Sequence, residues 1–158
     1  MKIIIGIDPG LNGGIAIFGD ITENGAGCAA FKTMMDTGNL LDGILTVKKP
    51  SEIKAFVEVP PVFFAGAQGG ISTQAKLHRN LGQYEGLLMG LGIPFETVTP
   101  QIWQRGLPGL AKLAGKDRKK ALHNLATQRF PQLKPTLKTC DAILIAEYGK
   151  RKELGDER

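Results

Sequence analysis

Residues 3–10 read Ile3-Ile4-Ile5-Gly6-Ile7-Asp8-Pro9-Gly10, and the rest of the chain is best read outward from them. Residues Ile3 to Ile7 form a short apolar run rich in branched side chains, the pattern of a strand buried on both faces. The run meets Asp8 and then the turn-forming pair Pro9-Gly10. A lone buried carboxylate is costly unless it is paired or bound to a metal. Asp8 is therefore expected where the strand emerges, facing something positive. The alternative is a carboxylate that only starts the turn.

After the turn LNGG, residues 14–18 (GIAIF) form a second strand, and the short connection predicts an antiparallel hairpin. The polar stretch DITENGAG leads to a third strand near Cys28 to Lys32. Leu40, Leu41, Ile44, Leu45 and Val47 then mark a short amphipathic helix over Asn39 to Val47, ended by Lys48, Lys49 and Pro50. Residues 53–59 (IKAFVEV) form a fourth strand. Alternation places Ile53, Ala55 and Val57 on one face and Phe56 and Glu58 on the other. Glu58 stands just before Pro60-Pro61, so the arrangement at Asp8 is repeated: apolar run, carboxylate, proline. A helical crossover before this strand predicts parallel pairing into the same sheet. Beside the first strand, it brings Asp8 and Glu58 together at one sheet end, where open α/β sheets place their sites.

The segment PPVFFAGAQGGIS, residues 60–72, is rich in Gly and Pro. Its Phe63 and Phe64 either tuck back into the core or stand out for use. A long helix follows over Thr73 to Leu91, with Leu77, Leu81, Tyr84, Leu88 and Leu91 on its apolar face. Gly82, Gly86 and Gly90 recur on another face at about 1 kcal/mol each relative to Ala, which predicts close approach by a helix or a partner subunit. Residues 93–98 (IPFETV) read as a fifth strand. Thr99-Pro100 opens a short helix whose Trp103 reads as core. A loose linker, Gly106 to Gly115, precedes a helix over Lys116 to Phe130. Its first turn carries Lys116, Arg118, Lys119 and Lys120, cations that oppose the helix dipole; either an anion sits nearby or the turn is simply solvated. The last helix is expected from Thr139 to Lys150 with Asp141 in its first turn, followed by a frayed tail, RKELGDER.

With 158 residues and 42% hydrophobic content, the chain suits a single domain spanning residues 1–158. No apolar run is long enough to cross a membrane, and Lys2 followed by a strand is no signal peptide. Cys28 and Cys140 lack metal-ligand spacing, which predicts a reduced, cytoplasmic protein with two free thiols. His78 and His123 lack it too and read as surface residues. The net charge of +5 is unevenly placed. Residues 1–111 hold 8 Lys/Arg against 9 Asp/Glu, and residues 112–158 hold 12 against 6. A basic last third points to a polyanion, nucleic acid first, or else to a solvated surface.

Three carboxylates thus stand out: Asp8 and Glu58 at strand ends and Asp141 at a helix start. Three strands, helix, strand, helix, strand, helices is an order that resembles the ribonuclease H-like fold, a five-stranded mixed sheet with helices on both faces. The motifs GIDPG, VEVPP, GAQGGIS, IPFETVTPQIWQ, GKDRKKA and CDAILIAEYG together resemble the RuvC-like Holliday-junction resolvases, particularly their short phage-type forms, over nearly the whole chain from Lys2 to Gly149. The resemblance implies a crossover junction endodeoxyribonuclease: a homodimer that cuts branched DNA with Mg²⁺ or Mn²⁺ held by hard oxygen ligands. It implies that Asp8, Glu58 and Asp141 are metal ligands, and that Lys119, or else Lys116, acts on the scissile phosphate or its water. Phe63 or Phe64 would serve as a junction wedge, although their spacing from Glu58 departs from the family's. Ser72, Lys116, Arg118, Lys120 and Lys138 would line the DNA. Lys138 stands where many relatives carry a fourth acid or a His. Glu147 is poorly placed to replace it, so one or two metals remain open.

Other readings share parts of this pattern. The GIDPG start is similar to the phosphate-binding strand of actin-like ATPases and sugar kinases, which need a second domain to enclose a nucleotide. A ribonuclease or another structured-nucleic-acid nuclease of the same fold differs mainly in loops and dimer geometry. A catalytically inactive junction-binding protein would not need all three acids.

Overall fold

The computed structural model describes residues 2–21, 25–31, 33–60 and 70–155. Its strands are β1 (Ile3–Asp8), β2 (Gly14–Phe18), β3 (Ala26–Ala30), β4 (Ile53–Glu58) and β5 (Phe95–Val98). Its helices are α1 (Met34–Leu45), α2 (Gly70–Gly90), α3 (Pro100–Trp103), α4 (Gly115–Arg129) and α5 (Cys140–Glu153). The sheet order is β3-β2-β1-β4-β5, with β1 in the centre. β1 pairs antiparallel with β2 and parallel with β4, and β5 is parallel to β4. The expected mixed sheet of five strands is therefore present.

Strand alternation divides the core in two. Ile3, Ile5, Ile7, Ile53, Ala55 and Val57 face one way, against Leu41 and Ile44 of α1 and Leu81, Tyr84 and Leu88 of α2. Ile4 and Phe56 face the other way, against Trp103, α4 and α5. Since β1 is apolar on both faces, its burial is complete on both. Each such Ile contributes roughly 1.5–3 kcal/mol. The same parity puts Gly6 and Asp8 of β1, and Glu58 of β4, on the α5 side.

Small residues set how near α5 comes. A Cβ on Gly6 would collide with the Ala142 carbonyl and the Ala146 amide of α5, and one on Gly149 with the Phe56 ring. A Cβ on Gly14 would lie 2.9 Å from the Lys138 carbonyl just before α5. The helix lies directly on β1 and β2, with a glycine at each close approach.

Several element limits differ from the sequence expectation. α1 begins at Met34 instead of Asn39, because Thr33 caps it: its Oγ1 accepts from the Asp36 amide at 3.1 Å. β3 begins two residues early, at Ala26. α2 begins at Gly70, so Ser72 lies exposed in a helical first turn rather than in a loop. β5 begins at Phe95, after Pro94, which has no N–H to give to a sheet. The linker before α4 is not loose, since Leu107 and Leu110 are buried in the α5-side core. The tail is not frayed at its start either. α5 runs to Glu153, and ion pairs join Lys152 to Glu96 and Lys2 to Glu153. Both cysteines are free, as expected. No helix among the described residues is long and apolar enough to cross a membrane.

Candidate active site

The register places two acids side by side. Asp8 and Glu58 directly follow Ile7 and Val57, the last matched pair of the parallel strands β1 and β4. Both leave the sheet at its carboxyl end on the α5 face. Gly6, two residues back from Asp8, sits under Ala142, the neighbour of Asp141. The close seat of α5 therefore brings the third acid toward the first. Asp8 and Glu58 both feel the charge of Asp141. Burial, then the charge of Asp141, raises Asp8 from 3.8 to about 6, against the pull of Lys119 and the Gly10 amide. Burial, then Asp8 and Asp141, raises Glu58 from 4.5 to about 8, opposed by Trp103 and Lys119.

Each acid is held by a different kind of donor. Asp8 Oδ1 accepts from the Gly10 amide at 2.9 Å, so Asp8 does start the turn as well as face the site. Asn80 of α2 steadies that turn by donating to the Pro9 carbonyl at 3.3 Å. Glu58 Oε2 accepts from the Trp103 indole at 2.9 Å. Asp141 Oδ2 pairs with Lys119 Nζ at 2.5 Å, and Cys140 Sγ donates to its Oδ1 at 3.3 Å. Burial pushes the Cys140 thiol up to about 12, so it stays a protonated donor. With these partners in place, no three of the described His, Cys, Asp and Glu side chains form a ready-made metal-ligand set. The donor chemistry nonetheless suits a hard divalent cation, being carboxylate oxygen throughout.

The Lys119–Asp141 pair depends on how α4 docks on α5. His123, expected on the surface, is half-buried, and its Nε2 lies 3.0 Å from the Pro135 carbonyl, which accepts from it. At the far end Arg129 Nη1 donates to Glu147 Oε2 at 2.6 Å. Glu147 is thereby committed to Arg129, in line with its poor placement as a fourth acid. The basic first turn divides in the same way. Lys119 turns to Asp141, Arg118 is half-buried on Gln104 and the Leu113 carbonyl, and Lys116 and Lys120 are exposed. Lys138 lines an open cleft with Asp8, Asn12 and Lys119. The wedge residues Phe63 and Phe64 lie outside the described residues. Trp103 is core, as expected at 1% exposure. Its bond to Glu58 was missed; a buried indole needs an acceptor, which was the available signal.

No protein-family model matches the chain, and no curated protein does. A solved structure described as T. thermophilus RuvC in complex with Holliday junction substrate matches with a TM-score of 0.62. The chain shares the RuvC fold. That match covers 99% of this chain and 98% of the other at 17% sequence identity. A second, the Thermus thermophilus RuvC structure, matches with a TM-score of 0.56, also at 17% identity and over 98% of each chain. The ribonuclease H-like architecture expected from the order of elements is therefore the one RuvC has. At this identity the likeness speaks to the fold, and the chemistry has to come from the site itself.

Proposed function

We propose that the chain is a divalent-metal-dependent endonuclease that hydrolyses phosphodiester bonds in branched DNA, four-way junctions first. The observation that carries this reading is the pairing of Asp8 and Glu58 at adjoining parallel strand ends, with Asp141 near enough to raise both. Clustered like charges are unfavourable in a fold unless a cation uses them. Asp8, Glu58 and Asp141 would hold Mg²⁺ or Mn²⁺. When bound, such a cation neutralises phosphate charge and makes water a better nucleophile.

The chain's own groups supply the rest. Water adds to phosphorus, the bond to the 3′ oxygen breaks, and that oxygen leaves with a proton. Lys119 is a cation beside the acids, suited to offset charge gathering on the phosphate oxygens. Lys116, Lys120 and Lys138 are exposed cations that suit the flanking backbone. Arg118 serves that surface more indirectly, through the linker it ties down. Ser72 and the segment of Phe63 and Phe64 complete the DNA-facing set taken from the resemblance.

A four-way junction has two-fold symmetry, and two cuts require two active sites, so the working unit is a homodimer. Gly82, Gly86 and Gly90 of α2 support this, because a Cβ at any of them meets nothing within 4 Å in the described chain. Packing among the described residues does not require these glycines.

The deciding experiment is cleavage of labelled four-way, three-way and linear DNA with Mg²⁺ or Mn²⁺, with Asp8→Asn as control. Metal-dependent paired nicks in the four-way substrate are expected. Equal cutting of linear duplex, RNA cleavage alone, or activity that survives Asp8→Asn would each reject the proposal. Sedimentation with and without junction DNA tests the dimer; a monomer at micromolar concentration in both rejects it.

A further inference from the structure

We infer that Trp103 is a positioning residue for Glu58, its indole N–H fixing how that carboxylate meets a divalent cation. The inference rests on the metal-dependent reading above. Trp103 is the single tryptophan of the chain and is 1% exposed. Its Nε1 lies 2.9 Å from Glu58 Oε2.

The fold delivers this contact through register. Glu58 lies opposite Val98 in the parallel pair of β4 and β5. The chain then turns at Thr99-Pro100, and the Ile102 and Trp103 amides both donate to the Thr99 carbonyl, at 3.0 and 3.2 Å. That single turn carries the indole to the end of the neighbouring strand β4, where Glu58 stands. The ring body is buried in the α5-side core, in the same cluster as Val98, Leu107 and Leu110. Packing therefore fixes the ring plane, and the plane fixes the direction of the N–H.

An indole donates one hydrogen bond and accepts none. It occupies Oε2 and leaves Oε1 for a second partner. A glutamate has three side-chain torsions, and ordering them costs entropy when a ligand binds. Trp103 has Glu58 ordered beforehand. Partners of this kind, one step removed from a metal, commonly govern metal affinity by about 10–100-fold. The opposing account makes Glu58 merely the acceptor that a buried indole requires. On that account the N–H has no bearing on cation binding.

Two measurements without DNA separate these accounts. Calorimetric titration with Mg²⁺ should show binding to Trp103→Phe weakened by about 10–100-fold relative to the unsubstituted protein. Mg²⁺ should also change the emission of Trp103 in the unsubstituted protein, with the calorimetric midpoint, and leave it unchanged in Glu58→Gln. Mg²⁺ suits this because it does not itself quench fluorescence. If Trp103→Phe fails to fold, the emission titration decides alone. Binding by Trp103→Phe as tight as normal, or calorimetric binding with flat emission, overturns this inference and leaves the proposed function standing. An unsubstituted protein that binds no divalent cation at millimolar concentration overturns both.

Discussion

Lys119 Nζ lies 2.5 Å from Asp141 Oδ2, joining the N-terminal part of α4 to the first turn of α5 beside two further carboxylates. The amine offsets charge on all three acids: it pulls Asp8 and Glu58 down while burial pushes them up. Its own affinity for a proton is raised by Asp141, against the effect of burial. A lysine so placed stays charged beside the acid cluster.

Replacing it separates catalysis from binding. Lys119→Ala is expected to slow single-turnover junction cleavage by about 100- to 1000-fold, the usual loss when a donor aimed at developing charge is removed. Junction affinity should fall by less than about tenfold, since one phosphate contact is lost among many. Rapid-quench cleavage and a gel-shift titration measure the two. Equal losses would make Lys119 an ordinary DNA contact.

Asp8→Asn relieves repulsion in the acid cluster. In chelator the variant is expected to melt at the same temperature as the unsubstituted protein or higher. Millimolar Mg²⁺ should raise the melting temperature of the unsubstituted protein by mass action and do much less for the variant. Differential scanning calorimetry checks both. A variant that melts lower, with no metal response in either protein, would mean that Asp8 does no more than accept the Gly10 amide.

The raised carboxylates fix the sign of a pH dependence. Asp8 at about 6 and Glu58 at about 8 hold protons in the folded chain that an unfolded chain releases near 3.8 and 4.5. The folded state therefore binds more protons, and stability falls as pH rises. The contribution is complete below the unfolded values and is lost through about 6 and about 8. In chelator the melting temperature should decline from pH 5.5 to pH 9, and Glu58→Gln should flatten the decline. Mg²⁺ affinity should rise over the same range, because the cation needs the charged forms.

The glycines of the chain should divide into two classes. Gly6→Ala forces a methyl into the Ala142 carbonyl and the Ala146 amide, backbone atoms that cannot swing aside. A loss of about 3 kcal/mol is expected, at the upper end for overpacking, and it should disturb the site because α5 carries Asp141. Gly82→Ala meets nothing within its own described chain and should gain up to about 1 kcal/mol from helix propensity in the separated chain, while weakening association in the proposed dimer that packs on this face. Urea unfolding of both variants is the check.

What the sequence determined alone was local. Branched apolar runs and period-two alternation specify strands and their faces, because the strand backbone sends successive side chains to opposite sides. Asp8 and Glu58 could thus be placed at strand ends, and Asp141 at a helix start, without any coordinates. Limits were less legible where one side chain decides them, as Thr33 does for α1. The partners of the acids were beyond reach in sequence. Trp103 meets Glu58 across 45 residues and Lys119 meets Asp141 across 22. Among four neighbouring basic residues, only the docking of α4 on α5 selects Lys119 for that pairing. In the fold Gly6 is the seat that lets α5 approach and carry Asp141 toward Asp8, a role its place in an apolar run does not announce. Such contacts depend on how whole elements pack, and packing is a property of the assembled core that no short window of residues contains.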